Sequence, residues 1–309
     1  MYKVVWDMDP GIDDALALLL AVKSPEIKVL GITTVAGNAS VEVTSDNVRK
    51  VLEYLKVSNI PVAKGAAKPL SRPLDAALHY HGPDGLAQSN LPPPCTPLHP
   101  EKAWEFLARV ILDAPGEIIL LATGPLTNIA TAFQNHPELP EALGRLVLMG
   151  GAYGFTPYSK RNQILIAEFN IWQDPEAAQI VFDSGANIFA VGLDVTMDPE
   201  TSLNKQHLER IKIGHTPAAY LATRLVEFAV EQHGYCAMHD PLALAILLDD
   251  SLVDFKSVRV KVTGADGWNR GIIQIIPEKE ASELALIHVA SAVDGPRFVN
   301  LFLSRILEK

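Results

Sequence analysis

The chain has 309 residues, of which 48% are hydrophobic, and 26 Lys and Arg against 36 Asp and Glu give a formal net charge of −10. This hydrophobic content excludes an intrinsically disordered chain, and the excess of acids argues against binding nucleic acid or anionic lipid through overall charge. At about 100–200 residues per domain, the length allows one large domain or two ordinary ones.

Short apolar runs alternate with longer helical patterns along the chain. The apolar runs predict strands at residues 3–6, 29–35, 60–63, 117–121, 145–149 and 187–193, and helical spacing predicts helices at residues 13–23, 41–55, 101–112, 126–133 and 175–183. Residues 203–248 have a mainly helical pattern, and strands at 258–262 and 284–289 precede a helix near 296–307. This order predicts an α/β fold with a mainly parallel central β-sheet flanked by helices, and because no linker interrupts it, we expect a single domain over residues 1–309.

Cysteine content and the start of the chain bear on location. Cys95 and Cys236 are too few for a disulfide scaffold and are typical of a reducing compartment, although counting alone leaves one bridge open. The first residues lack the features of a signal peptide, and the longest uncharged stretch, residues 118–137, has the pattern of strand, turn and helix rather than a membrane span. We therefore expect a cytoplasmic protein with no membrane or nucleic-acid partner.

Four carboxylates fall within eight residues directly after the first predicted strand, at Asp7, Asp9, Asp13 and Asp14. Alternation along a strand places Asp7 and Asp9 on the same side, and ligands bind at the carboxyl ends of strands in open α/β sheets. Capping of the next helix would account for one or two of these acids. The whole cluster predicts a catalytic or metal site, and Ca²⁺ or Mg²⁺ is favoured over Zn²⁺ because neither His nor Cys lies nearby.

Small or polar residues also stand where later strands end. Asn38 follows the second strand, Thr123 and Gly124 follow the strand at 117–121, and Gly150 and Gly151 follow the next one. Any one of these segments alone is explained equally well by an ordinary turn. Their occurrence at successive strand ends predicts that backbone approaches a ligand there.

Two further segments carry polar groups. Asn162, Glu168 and Asn170 lie in an otherwise apolar stretch, where buried amides and carboxylates suit the recognition of vicinal hydroxyls. His239 and Asp240 open an apolar helix, and because Pro241 follows, capping by Asp240 alone is an equal alternative to a role in the site.

The segment Asp7-x-Asp9-Pro10-Gly11-x-Asp13-Asp14 resembles the signature of the inosine–uridine-preferring nucleoside hydrolases. The resemblance continues in the family's order at residues 37–38, 122–128, 149–151, 167–171 and 239–241. It implies a single α/β domain and an enzyme that hydrolyses the N-glycosidic bond of purine or pyrimidine ribonucleosides to free base and ribose. It also implies a homodimer or homotetramer.

The resemblance further implies a Ca²⁺ site. The carboxylates of Asp9, Asp14 and Asp240 and the backbone carbonyl of Thr123 would bind the ion. Asp9 would also be the general base on the attacking water, and direct attack by water implies inversion at C1′.

Substrate contacts follow from the same resemblance. The residues that would hold the ribose are Asp13, Asn38, Met149, Asn162, Glu168 and Asn170. His239, with help from His81 in a Gly- and Pro-rich loop, would serve the leaving nucleobase. The residues around Asn162 depart from the family's usual Gly-Asn-Thr-Pro, although the six-residue offset to Glu168 is kept.

Base preference is not fixed by these motifs. Candidates in the segment before the His-Asp pair are Glu227, Phe228, Glu231, Gln232, His233 and Tyr235. No tryptophan lies among them, which gives no support to a purine-only stacking pocket.

Two alternative functions stay open. An aspartate-nucleophile phosphatase also uses Asp-x-Asp after a first strand and binds Mg²⁺, but the Gly-Thr-type continuation typical of that class is missing. A Ca²⁺- and ribose-binding protein without catalysis would keep the pocket, but Asp9 and His239 argue against it.

Overall fold

The computed structural model describes residues 1–160, 167–264, 267–280 and 283–308. The strands in these ranges are β1 (Tyr2–Met8), β2 (Ile27–Thr34), β3 (Val62–Lys64), β4 (Ile118–Ala122), β5 (Arg145–Met149), β6 (Ile188–Val191), β7 (Val253–Val262), β8 (Ile273–Ile276) and β9 (Ile287–Val293). They form a 9-stranded sheet in the order β3-β2-β1-β4-β5-β6-β9-β7-β8. The sheet is parallel from β3 to β9, and β7 and β8 extend it as an antiparallel edge.

Helices connect the strands and cover the sheet. They are α1 (Ile12–Val22), α2 (Val41–Tyr54), α3 (Leu78–His81), α4 (Ala103–Leu112), α5 (Thr127–Asn135), α6 (Leu139–Ala142), α7 (Phe169–Gln173), α8 (Pro175–Asp183), α9 (Leu193–Thr196), α10 (Lys205–Lys212), α11 (Pro217–His233), α12 (His239–Ala245) and α13 (Gly295–Leu307). Local chemistry fixes several ends. Thr216 caps α11 ahead of Pro217, and Gly234 ends that helix in the left-handed conformation at φ 84°.

Two hydrophobic cores lie on opposite faces of the sheet. Alternation along β1 sends Val4 and Trp6 to the core beneath α1, α2, α11, α12 and α13, and sends Val5 to the core beneath α4, α5 and α8. Because both faces are covered, the central strands are almost entirely apolar, and polar side chains are displaced to the strand ends. The predicted α/β fold with a mainly parallel sheet is confirmed.

The differences from prediction concern boundaries and short elements. The strand predicted at 258–262 is the end of the longer β7, and the one predicted at 284–289 begins later, as β9. The four-residue helices α3, α6 and α9 and the strand β8 are too short to produce a periodic pattern.

Two smaller findings concern the cysteines and the helices. Both Cys95, which is exposed, and Cys236, which is buried, are free thiols. None of the helices in the described ranges combines the length and hydropathy needed to cross a membrane.

Candidate active site

A cavity of about 450 Å³ opens at the carboxyl edge of the parallel strands. The residues predicted from the sequence that line it are Asp13, Asn38, His81, Thr123, Met149, Glu168, Asn170, His239 and Asp240. Asp9 and Asp14 are fully buried and are not among its lining residues. Asn162 lies outside the described residues. The structure therefore brings together side chains from the ends of β1, β2, β4 and β5 with those at the start of α12.

Asp9 lies directly after β1 and is held by backbone. Its Oδ2 accepts a hydrogen bond from the Asn38 N–H at 2.7 Å, whereas Oδ1 has no hydrogen-bond partner among the described residues. Gly37 and Gly124 enclose the carboxylate so closely that a Cβ would stand 2.1 Å from Oδ2 or 2.8 Å from Oδ1, respectively. The absence of a side chain at Gly37 and Gly124 therefore makes room for the Asp9 carboxylate. The sequence interpretation expected the backbone at these strand ends to approach a ligand.

Asp14, in the first turn of α1, is fixed by hydrogen bonds from two neighbours. It accepts hydrogen bonds from the Gly11 N–H at 3.0 Å and the Thr123 hydroxyl at 2.8 Å. The Trp6 indole N–H donates in turn to the Thr123 hydroxyl at 2.9 Å. Asp14 therefore does contribute to the helix start, as the capping interpretation proposes, but it also faces the acids described next.

Asp13, Asp14 and Asp240 form a carboxylate cluster in which one oxygen from each lies within 4.8 Å of the others. The N-cap of α12 is Met238, so the interpretation of Asp240 as a cap is wrong, and its carboxyl group instead lies against those of Asp13 and Asp14. Asp240 lies within the first turn because the helix begins at His239, two residues earlier than the Asp-Pro pair predicts.

Burial and mutual repulsion raise the pKa of these acids. Burial raises the pKa of Asp13 and Asp14 to about 6, and the charge of Asp14 contributes to the rise at Asp13. The pKa values of Asp9 and Asp240 rise well above the ordinary value, first through burial and then through neighbouring carboxylates. The all-oxygen donor set of Asp13, Asp14 and Asp240 fits a hard divalent cation. The predicted ligand Asp9 is not part of that group, but its charge contributes to the raised pKa of Asp240, and its Oδ1 has no partner among the described residues.

Glu168 and Asn170 line the cavity and hydrogen-bond the backbone around it. The Glu168 carboxylate accepts the N–H groups of Gly151 at 3.0 Å, Asn170 at 2.8 Å and Ile171 at 3.1 Å, and so caps α7. The Asn170 amide donates to the backbone carbonyls of Thr123 at 3.3 Å and Met149 at 3.2 Å. These bonds fix the ends of β4 and β5 relative to α7.

The two predicted histidines lie on the cavity wall in different settings. The His239 Nδ1 is 2.8 Å from the Thr196 hydroxyl, and burial lowers the pKa of His239, although the charge of Asp13 opposes this shift. The neutral imidazole is therefore favoured near pH 7 over the protonated form. The His81 Nδ1 accepts the Ile12 N–H at 3.1 Å, which ties α3 to the start of α1.

Of the six candidates for base preference, His233 and Tyr235 line the cavity. Glu227 forms an ion pair with Lys212 at 2.9 Å, and the remaining candidates lie outside the cavity lining: Phe228, Glu231 and Gln232. Sequence reasoning could not separate these residues because they share one short segment, and the rotation of α11 together with the turn after it at Gly234 decides which of them face inwards.

Tyr80 was not predicted. Its ring stacks on that of His233 with centroids 4.4 Å apart and planes 13° from parallel, and both residues line the cavity. Phe169 lines the same cavity. The position of Tyr80 next to His81 is the signal in the sequence that points to it.

Asp7, the remaining acid of the motif, faces away from the cavity. One of its oxygens accepts the Thr33 hydroxyl at 2.6 Å and the Asn128 amide at 2.8 Å. Burial raises the pKa of Asp7 to about 7. Its contacts join β1, β2 and α5 beneath the site.

The chain matches the inosine-uridine preferring nucleoside hydrolase family over residues 4–300. It is 40% identical to the pyrimidine-specific ribonucleoside hydrolase RihA of Salmonella arizonae, over 98% of this chain and 97% of that protein. Its structure resembles the plant nucleoside hydrolase PpNRh1 with a TM-score of 0.93 and 30% identity, over 100% of this chain and 99% of that one. It resembles the purine-preferring ribonucleoside hydrolase from Gardnerella vaginalis with a TM-score of 0.89 and 31% identity, over 98% of each chain.

Fold and comparisons together define a hydrolase that acts on N-glycosyl compounds. The chain belongs to the inosine–uridine-preferring nucleoside hydrolase family. The resemblance of its motifs to that family is confirmed, and the alternative interpretation as an aspartate-nucleophile phosphatase gains no support.

Proposed function

We propose that this protein hydrolyses the N-glycosidic bond of ribonucleosides to free base and ribose, with Ca²⁺ as cofactor and Asp9 as general base. The observation that carries the proposal is the buried Asp9 carboxylate, which has one oxygen fixed by Asn38 and the other without a partner among the described residues. An oxygen held in this way is oriented to take a proton from a water.

The carboxylates of Asp9, Asp14 and Asp240 and the backbone carbonyl of Thr123 would hold the ion. Ca²⁺ bound there would supply a positive charge that lowers the pKa of a water and offsets the acids. The Thr123 hydroxyl orients Asp14, and the Asn170 amide holds the Thr123 carbonyl in place.

The ribose would occupy the part of the cavity next to the carboxylates. The residues proposed to hold it are Asp13, Asn38, Met149, Asn162, Glu168 and Asn170. Cleavage of an N-glycosidic bond develops positive charge on the sugar, and Asp13 and Glu168 on the cavity wall would stabilise it. Attack by water from the side opposite the base gives inversion at C1′.

The nucleobase would leave towards His239 and His81, which line the cavity. The departing base gains negative charge, and a hydrogen bond donated by an imidazole offsets it. Tyr80, His233 and Tyr235 offer flat surfaces for the base in the same cavity.

We infer that pyrimidine ribonucleosides are the preferred substrates. The RihA relative, named pyrimidine-specific, is 40% identical to this chain, against 31% for the enzyme named purine-preferring. No tryptophan stands among the described residues that line the cavity, which gives no support to a purine-only stacking pocket.

An assay of ribose release from uridine, cytidine, inosine and adenosine tests this proposal, with phosphate release from p-nitrophenyl phosphate measured in parallel. We expect hydrolysis of the nucleosides, fastest for uridine or cytidine, and no phosphate release. Binding of ribose without hydrolysis of any nucleoside would favour the non-catalytic alternative, and phosphate release alone would favour the phosphatase.

The proposal also covers the domain organisation, the oligomeric state and the location of the protein. We propose that residues 1–309 form one domain, that the protein is a homodimer or homotetramer, and that it is cytoplasmic. Sedimentation equilibrium at micromolar concentration tests the assembly, and a mass of 33.5 kDa would show a monomer instead.

A further inference from the structure

His239 has a buried partner that the sequence motifs did not single out. The Thr196 hydroxyl lies 2.8 Å from the His239 Nδ1, at the end of the short helix α9. Thr196 is fully buried and lies outside the cavity lining, whereas His239 lines the cavity. The Nδ1 edge of the imidazole is therefore turned to Thr196, which leaves the Nε2 edge for the cavity.

The backbone of Thr196 is held on both sides. Its N–H donates to the Gly192 carbonyl at 3.1 Å, and its carbonyl accepts the Thr201 hydroxyl at 3.2 Å. Neither of these bonds involves the Thr196 hydroxyl, which is therefore available to His239. A hydroxyl can both donate and accept, and a neutral imidazole carries its proton on the nitrogen that does not accept.

We propose that Thr196 is a positioning residue that donates to the His239 Nδ1 and so keeps the His239 proton on Nε2, where it hydrogen-bonds the departing nucleobase. The proposal rests on the proposed function. When the bond from C1′ to the base nitrogen breaks, its electron pair goes to the base. The oxygen of water bonds to C1′, and the proton of that water passes to Asp9. The Nε2–H stabilises the anionic base, which then takes its proton from solvent.

Two substrates separate this role from a merely structural one. Uracil, the leaving group of uridine, is a poor one that needs the hydrogen bond, whereas p-nitrophenyl β-D-ribofuranoside releases a stabilised phenolate that does not. We expect Thr196→Val to lower kcat for uridine about tenfold or more, because removal of one such donor costs about 10²–10³-fold and Thr196 acts through it. Its kcat for the p-nitrophenyl substrate should stay within about threefold, and Thr196→Ser should restore the uridine rate.

Thr131→Val is the control, since it removes a threonine hydroxyl that bonds only the Thr127 carbonyl of its own helix and does not touch Thr196. It should leave the ratio of the two rates unchanged. Equal loss on both substrates by Thr196→Val would overturn the role of Thr196 while leaving the proposed function standing. No hydrolysis of any nucleoside by the unaltered protein would overturn the proposed function itself, and the inference with it.

A readout independent of activity is the ¹⁵N spectrum of the labelled histidines, assigned by comparison with His239→Asn. The expected His239 signal has its proton on Nε2 in the unaltered protein and a mixture of tautomers in Thr196→Val. A proton on Nδ1 in the unaltered protein would overturn the assignment.

Discussion

The Asp9 carboxylate accepts the Asn38 N–H through one oxygen, at 2.7 Å, and keeps its other oxygen free of hydrogen-bond partners among the described residues. A buried polar atom without a partner is costly unless a ligand or water satisfies it. The site is therefore built around an oxygen that gains its partner only when the cavity is filled.

Replacement of Asp9 by Asn tests the general base. The amide keeps the shape of the side chain but cannot take a proton, so we expect kcat for uridine to fall by about 10²–10⁴-fold. Removal of a buried charge should leave the Tm of the metal-free protein unchanged or higher. Steady-state kinetics and thermal unfolding check both results, and near-normal kcat would show that Asp9 is not the base.

Gly37→Ala tests the enclosure of Asp9. A Cβ at this position would stand 2.1 Å from the Asp9 Oδ2, so the carboxylate must move, and we expect loss of most activity towards uridine. Gly264→Ala is the control, because its Cβ would meet only the end of the Glu176 side chain, at 3.1 Å, and neither residue lines the cavity. If Gly37→Ala kept full activity, the position of Asp9 would not be critical.

Thr123→Val tests the orientation of Asp14. The change keeps the backbone carbonyl but removes the hydroxyl that links the Trp6 indole to the Asp14 carboxylate. Loss of such an outer contact weakens metal binding by about 10–100-fold, and titration of activity with Ca²⁺ measures it. Thr131→Val, whose hydroxyl bonds only a carbonyl of its own helix, should bind Ca²⁺ normally. Equal affinities in the two variants would contradict the prediction.

The stability of the metal-free protein should depend on pH. Burial raises the pKa of Asp13 and Asp14 to about 6 and that of Asp7 to about 7, from 3.8 in each case. Because the folded protein holds these protons more tightly than the unfolded chain, their contribution is complete below about pH 4 and is lost as the pH rises through 6 to 7. Thermal unfolding in chelator should show Tm falling over this range, and Ca²⁺ should reduce the fall. A Tm that rises from pH 5 to 7 would contradict this.

Much of the fold follows from local pattern. The strands are recognisable because burial on both faces makes them continuous apolar runs, and the rule that ligands bind at the carboxyl edge places Asp9 and Asp13 near Thr123. Asp240 follows the helix α11 and not a strand, so only the resemblance to the family predicted its place in the site. The contact of Tyr80 with His233 joins segments far apart in the chain, and no local pattern encodes it. The Asp-Pro pair at Asp240 left capping open as an alternative, because a local capping rule competes with the tertiary contact to Asp13 and Asp14.

The central claim is a nucleoside hydrolase whose carboxylates hold Ca²⁺, and the most direct measurement is ribose release from uridine by protein stripped of metal. We expect no turnover after removal of divalent ions, full recovery with Ca²⁺, and no recovery by Asp9→Asn under the same conditions. Undiminished turnover by the stripped protein in the presence of excess chelator would contradict the account.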